Sequence, residues 1–302
     1  MKKDPKNWKG CFAAVVTPFK ENEDLDEESF CKNIELLINE GIYGIVVSGC
    51  TGESWALSDE ERKTIFNLAT EQAKDRIITV GGVGETTPKH TIKLARYAKE
   101  AGMDMIMIHP PARVIPNPRE IIAFYQKISN SVDMPILLYN IPKRQAVELN
   151  VDLVDKLADI KNVVAIKESS NNFERVMEVV EKAGDQIQVF TGHSAQRGVP
   201  AILMGAKGWV GSLEPQVMGK EAIEMYNHVI NGDLNKAEET QYRCMVLNNK
   251  MGGGKSGTFP AFVKYGMNLR GRPGGFPRKP ILDLTEQEKK HVRSMLQELN
   301  LL

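Results

Sequence analysis

Short apolar runs alternate with longer stretches of helical spacing from residue 10 to about residue 230 of this 302-residue chain. The runs fall at 11–17, 45–48, 77–80, 105–109, 136–140, 163–167, 188–191 and 208–212. The run at 163–167 is brief and rich in β-branched residues, which reads as a buried parallel strand rather than a helix. Between the runs apolar residues recur at helical intervals, as in Phe30, Ile34, Leu37 and Ile38 before the turn at Gly41. Several helix starts are legible. Ser58 and Glu61 stand three apart, as in a capping box, while Thr87-Pro88 and Asn117-Pro118 read as an N-cap followed by proline at the first helical position. Eight strand–helix units predict an α/β fold, a (β/α)8 TIM barrel. A doubly wound open sheet is the alternative, weakened because no GxGxxG follows the first strand.

After Gly232 the alternation stops, and the remainder reads as helices over about 233–250, 258–267 and 285–299, with a Gly/Pro-rich connection at 271–280. The expected organisation is a catalytic barrel over residues 1–231 and a C-terminal helical domain over 232–302. The stretch Met251-Gly252-Gly253-Gly254-Lys255-Ser256-Gly257 superficially suggests a phosphate loop. In GxxxxGK[ST] register, however, its first glycine position is Asn249, and no apolar strand precedes it, so it reads as a flexible helix connection.

Composition narrows the function by exclusion. Lys+Arg and Asp+Glu both number 39, leaving no overall charge to attract nucleic acid or an anionic membrane. The four cysteines, Cys11, Cys31, Cys50 and Cys244, form no CxxC pair, which argues against zinc and against a disulfide framework. The N-terminus lacks an apolar signal region, and nowhere do 18 apolar residues run together. A soluble protein of a reducing cytoplasm is expected, with no metal, membrane or nucleic-acid partner.

Candidate chemistry gathers at the ends of the predicted strands, where barrels carry their catalytic groups. On the strand 163–167, strict alternation groups Val163, Ala165 and Lys167 on one face. A lysine beside core residues loses hydration, and that favours the neutral amine needed to attack a carbonyl and form a Schiff base. A strand-end lysine reaching into solvent is the ordinary alternative. After the second strand, Gly49-Cys50-Thr51-Gly52-Glu53 can turn sharply and present N–H groups, with the Cys50 and Thr51 side chains, to a carboxylate. An ordinary βα turn would look similar. Tyr139 ends the fifth run and can both donate and accept a proton, though a barrel-filling aromatic is common there. The eighth run, Gly208-Trp209-Val210-Gly211-Ser212, leaves room for a ligand at its glycines.

Taken together and in this order, Gly49–Glu53, Tyr139-Asn140-x-Pro142, Lys167, Gly192 and Gly208-x-x-Gly211-Ser212 resemble the dihydrodipicolinate synthase/N-acetylneuraminate lyase family of class I aldolases and lyases. The resemblance runs from about Gly10 to Leu284. It implies a barrel with a C-terminal helical domain, a homotetramer built as a dimer of dimers, and no metal or organic cofactor beyond the covalent lysine imine. It also implies that Lys167 condenses with pyruvate or another 2-oxo acid, that Cys50 and Thr51 hold the carboxylate, and that Tyr139 shuttles protons. Val210 and Ser212 would line the substrate.

Departures bear on substrate choice. Cys50 stands where the family carries Thr or Ser, and a thiol is a weaker hydrogen-bond donor. The synthases' proton-relay tyrosine after the fourth strand is matched by Ala112 in His109-Pro110-Pro111-Ala112-Arg113. Arg144 matches the synthase arginine that holds the second substrate's carboxylate, yet Gln145-Ala146 replace the usual Thr-Gly. Where sialate lyases place acidic residues, this chain has Gly192-His193-Ser194, and His193 and Ser194 suit substrate hydroxyls. The expected function is catabolic aldol cleavage or dehydration of a hydroxylated 2-oxo acid. The synthase reaction on pyruvate and aspartate semialdehyde is the alternative. N-acetylneuraminate cleavage, or a barrel that binds 2-oxo acids without turnover, comes behind both.

Overall fold

The computed structural model describes residues 4–145, 147–251 and 257–302, so most of the glycine-rich connection expected at 251–257 lies outside the described residues. Eight parallel strands close into a barrel in sequence order. They are β1 (Gly10–Ala14), β2 (Gly44–Val47), β3 (Ile78–Gly82) and β4 (Met105–Ile108), then β5 (Ile136–Asn140), β6 (Val163–Glu168), β7 (Gln188–Thr191) and β8 (Gly208–Gly211). Helices α1 (Glu27–Asn39), α2 (Asp59–Ala73), α3 (Pro88–Glu100) and α4 (Pro118–Ser131) follow the first four strands. Short α5 (Pro142–Gln145) and α6 (Val151–Ala158) follow β5, and α7 (Phe173–Ala183) and α8 (Ser194–Leu203) follow β6 and β7. After β8 come α9 (Glu214–Val217) and α10 (Lys220–Ile230). The chain then continues through α11 (Leu234–Met251), α12 (Phe259–Leu269) and α13 (Glu286–Glu298), so the expected division at 231/232 falls between α10 and α11. Helix α11 packs on α8 and α10, and α12 on α9 and α13.

Helix starts follow the capping chemistry in the sequence. Ser58 Oγ accepts from the Glu61 N–H at 3.2 Å while Glu61 returns a carboxylate to the Ser58 N–H at 2.8 Å. The Thr87 hydroxyl and Asn117 amide oxygen accept from the N–H groups of His90 and Glu120. Each cap contributes about 1 kcal/mol to holding its helix against the barrel.

Burial separates into two layers, as a barrel requires. Phe12, Val46, Val80, Met105, Met107, Leu137, Tyr139, Ala165, Phe190 and Val210 fill the interior, while Ile45, Ile106, Ile166 and Val189 face the helices. Strict alternation fails once on β6. Ile136 pairs with Val163 and Leu137 with Ala165, so the register skips Val164. This bulge turns Val163 toward the helices with the outer layer and leaves Val164 against the interior cluster. Val163 therefore does not share a face with Ala165 and Lys167. The slip lies upstream of Ala165, and Lys167 still points inward opposite Tyr139. Strand β1 also stops earlier than its apolar run. At Val16 the N–H donates to the Gln216 side chain at 2.8 Å instead of to a neighbouring strand.

No helix among the described residues is long and apolar enough to cross a membrane. Among them there is also no group of three or more His, Cys, Asp or Glu side chains disposed to hold a metal.

Candidate active site

Lys167 ends the inward face of β6 with only 5% of its surface exposed. Its ammonium nitrogen lies 4.4 Å from the centroid of the Tyr139 ring on the neighbouring strand. Burial strips water from the ammonium and lowers its pKa from the ordinary 10.5 to about 8, with the Arg144 charge pushing the same way against the opposing influence of Cys50 and Glu214. Near neutral pH a useful fraction of the amine is therefore uncharged. The Tyr139 phenol moves in the opposite direction, well above its ordinary value, because burial disfavours the phenolate. Beside Lys167, Gly192 is needed for room: a Cβ there would sit 1.8 Å from Ser169 Oγ and 3.1 Å from Lys167 Cε. Behind the lysine, the buried Glu168 carboxylate accepts from the Asn140 amide at 2.7 Å and the Ser170 N–H at 2.6 Å. Asn140 in turn accepts from the Leu149 N–H at 3.0 Å. This network fixes the strand ends that carry Tyr139 and Lys167.

The loop after β2 is held from below. Glu53 adopts a left-handed backbone, φ 52°, unusual for a residue with a side chain. Its carboxylate, wholly buried, pairs at 2.5 Å with the equally buried Lys264 of α12 and accepts from the Arg278 N–H at 3.0 Å. Lys264 also donates to the carbonyls of Thr17 and Phe276, at 2.6 and 2.7 Å. Thr17 donates its hydroxyl to Gly52 O at 2.8 Å. The C-terminal helices thus grip the loop bearing Cys50 and Thr51. Removing one partner of such a pair strands the other charge, at a cost of about 3–5 kcal/mol.

These elements surround a cavity of about 340 Å³ at the C-terminal end of the barrel. Of the residues singled out in the sequence, Cys50, Thr51, Tyr139, Arg144, Lys167, His193 and Ser212 line it. Val210 and Ser194 do not. Val210 packs in the barrel interior, and Ser194, only 2% exposed, turns its hydroxyl to Glu214 at 3.1 Å. Ala112 likewise stands outside the cavity lining. The His193 ring uses Nε2 to donate to Ser169 O at 3.1 Å, which leaves Nδ1 as an acceptor, and burial lowers its pKa so that it stays neutral. Sequence reasoning missed Lys143, Ser169, Asn171, Glu214, Asn248 and Phe259, which also reach the cavity. Ser169 could have been found, two residues beyond Lys167 and just past the end of β6. Asn248 and Phe259 arrive from the C-terminal helices, and no local pattern marks them.

The chain matches the profile of the Dihydrodipicolinate synthetase family over residues 7–299. It is 33% identical to a 4-hydroxy-tetrahydrodipicolinate synthase of Methanocaldococcus jannaschii, over 98% of this chain and all of that one. It is also 33% identical to a DapA-like lyase of Rhizobium meliloti, over 98% of this chain and 97% of that one. A prophage protein of E. coli K12 from the same family, solved in complex with pyruvate, superposes with a TM-score of 0.92 at 25% identity, covering 98% of this chain and all of its own. The chain belongs to the dihydrodipicolinate synthetase family of lyases that work through a lysine Schiff base.

Proposed function

We propose that Lys167 is the imine-forming lysine and that the substrate is a hydroxylated 2-oxo acid longer than pyruvate, which the enzyme cleaves by retro-aldol chemistry or dehydrates. The observation carrying this reading is the desolvated Lys167 amine, with pKa lowered to about 8, opening beside Tyr139 into the cavity. The neutral amine adds to the C2 ketone, and loss of water leaves an iminium that draws electrons from C3. Proton loss at C3 leaves an enamine that keeps the whole chain, whereas cleavage of the C3–C4 bond in a 4-hydroxy acid, with loss of the C4 hydroxyl proton, leaves the pyruvate enamine and an aldehyde. No metal or organic cofactor is required, because the iminium is itself the electron sink. Cys50 and Thr51 hold the C1 carboxylate, and Tyr139 passes protons between substrate and solvent. Ser212 lies along the cavity wall beside the substrate chain. Arg144 offers its planar fork to a distal carboxylate. His193 accepts a substrate hydroxyl at Nδ1. A cavity of about 340 Å³ leaves space beyond a three-carbon acid.

The synthase reaction is the second reading, favoured by Arg144 and by the synthase names of relatives such as that of M. jannaschii. A coupled screen separates the two. Aspartate semialdehyde with pyruvate is compared with cleavage and dehydration of 2-keto-3-deoxy sugar acids, other hydroxylated oxo acids and N-acetylneuraminate. A kcat/KM above ~10⁴ M⁻¹s⁻¹ with aspartate semialdehyde alone would overturn the preferred substrate class.

The proposed assembly is a homotetramer. Trp55, Val114, Ile115, Leu203 and Met204 are exposed large apolar side chains that contacts between subunits would cover. Sedimentation as a stable monomer at micromolar concentration would contradict it. A reducing cytoplasm suits the four cysteines, all of which are free thiols.

A further inference from the structure

Among the described residues the cavity wall carries three cationic side chains, Lys143, Arg144 and Lys167, but a single carboxyl, that of Glu214. Glu214 opens α9, three residues beyond the end of β8, and is 6% exposed. Ser194, the first residue of α8, donates its hydroxyl to Oε1 at 3.1 Å. Gly211 leaves the space in which the two meet: a Cβ there would lie 2.8 Å from Ser194 Oγ and 3.2 Å from Glu214 Oε2. Backbone N–H groups of Glu214, Ser212 and Ala195 also reach the carboxyl, so it braces its own turn and the α8 N-terminus as well as lining the cavity. Burial raises the Glu214 pKa above the ordinary carboxyl range, so the acid form persists to higher pH than usual. The titratable groups whose charges act across this position are Lys167 on β6, Cys11 on β1 and Cys244 on α11. Burial holds both thiols neutral, so the charges near Glu214 are the cations of the cavity wall, Lys167 foremost.

Resting on the imine reading of Lys167, we propose that Glu214 is a catalytic acid that delivers a proton to the C4 hydroxyl of the bound substrate, making dehydration the reaction of this site. The C3 proton, acidified by the iminium at C2, leaves to solvent by way of the Tyr139 hydroxyl and gives the enamine. Glu214 in its acid form then protonates the C4 hydroxyl. The C4–O bond breaks, its electron pair departs with one water, and the enamine electrons form the C3–C4 double bond as the iminium is restored. Hydrolysis releases an unsaturated 2-oxo acid, and Glu214 regains its proton from solvent. No oxidant or reductant is involved. Tyr139 and Glu214 divide the work that a simple aldol cleavage would ask of one group.

The test follows conversion of 2-keto-3-deoxygluconate by wild type and Glu214→Gln, with rates expressed per site that pyruvate and borohydride can trap on Lys167. Wild type should release a product lighter by one water, with a rate that falls as Glu214 ionises at higher pH. Glu214→Gln should retain the trapped adduct while dehydration falls by at least ~10²-fold and that pH limb disappears. Should the glutamine variant not fold, Glu214→Asp, which keeps the acid, must preserve the pH limb. Dehydration by Glu214→Gln at the wild-type rate per trapped site overturns the proposal, as does wild type that only cleaves the acid to an aldehyde, or an aspartate variant without the limb. Failure of wild type to trap pyruvate would instead remove the underlying imine reading, a separate result.

Discussion

Replacing Lys167 with methionine should stabilise the protein near neutral pH while abolishing its chemistry. The native lysine titrates at about 8, against 10.5 for an ordinary lysine. At about 1.4 kcal/mol per pH unit, that gap means the folded state holds a charged Lys167 at a disadvantage of about 3 kcal/mol. Between about pH 8 and 10.5 the unfolded chain keeps a proton that the folded protein has released, so wild-type stability rises with pH across that window. Below about 8 the penalty is complete, and above 10.5 it is gone. Methionine fills a similar volume with no charge to desolvate. It forfeits the contact of Lys167 with the Tyr139 ring, which offsets about 0.5–2 kcal/mol of the gain. The net expectation is about 1–3 kcal/mol in favour of the variant near pH 7, shrinking toward pH 10.5. Lys264 also titrates at about 8, but it is common to both proteins and cancels from the difference. Urea unfolding at several pH values reads this directly, as a shifted midpoint with unchanged slope. A variant equal to or less stable than wild type at pH 7, or a difference that ignores pH, would refute the claim that the amine is desolvated.

Tyr139→Phe should keep the fold and the trapped pyruvate adduct but slow turnover at least ~10²-fold; near wild-type kcat would leave Tyr139 a packing residue. Lys264→Met should lose about 3–5 kcal/mol of stability, read by urea unfolding, because Glu53 is then buried without its partner. The same variant should raise KM for the 2-oxo acid substrate more than it lowers kcat, since the loop it supports binds the carboxylate, and an unchanged KM would count against that support. Arg144→Ala should raise KM for 2-oxo acids with a distal carboxylate far more than for pyruvate. Equal effects on both would take Arg144 out of distal recognition.

The barrel was readable because eight apolar runs, each too short for a helix, recur between helical stretches. Helix starts were readable because Ser58, Thr87 and Asn117 announce their caps locally. The bulge at Val164 was not readable, since two valines in sequence fit either face of a strand and the choice depends on what Ile136 and Leu137 present opposite. The places of Lys167 and Tyr139 at the ends of apolar runs were readable, although the face assigned to Val163 was not. The Glu53–Lys264 pair lay out of reach, because its partners are separated by most of the chain and meet only when α12 docks. Ser194 looked like a substrate contact from its place beside His193. One step of helix geometry turns it to Glu214 instead, an acid that no pattern in the sequence had marked.

Reductive trapping reads the imine at Lys167 without relying on turnover. Protein incubated with pyruvate and borohydride is digested, and its peptides are weighed and fragmented. A single reduced three-carbon adduct is expected on the peptide containing Lys167, absent from Lys167→Met and forming more slowly as pH falls below about 8, where the amine is protonated. No adduct with pyruvate or any other short 2-oxo acid, or an adduct on a different lysine, would contradict it.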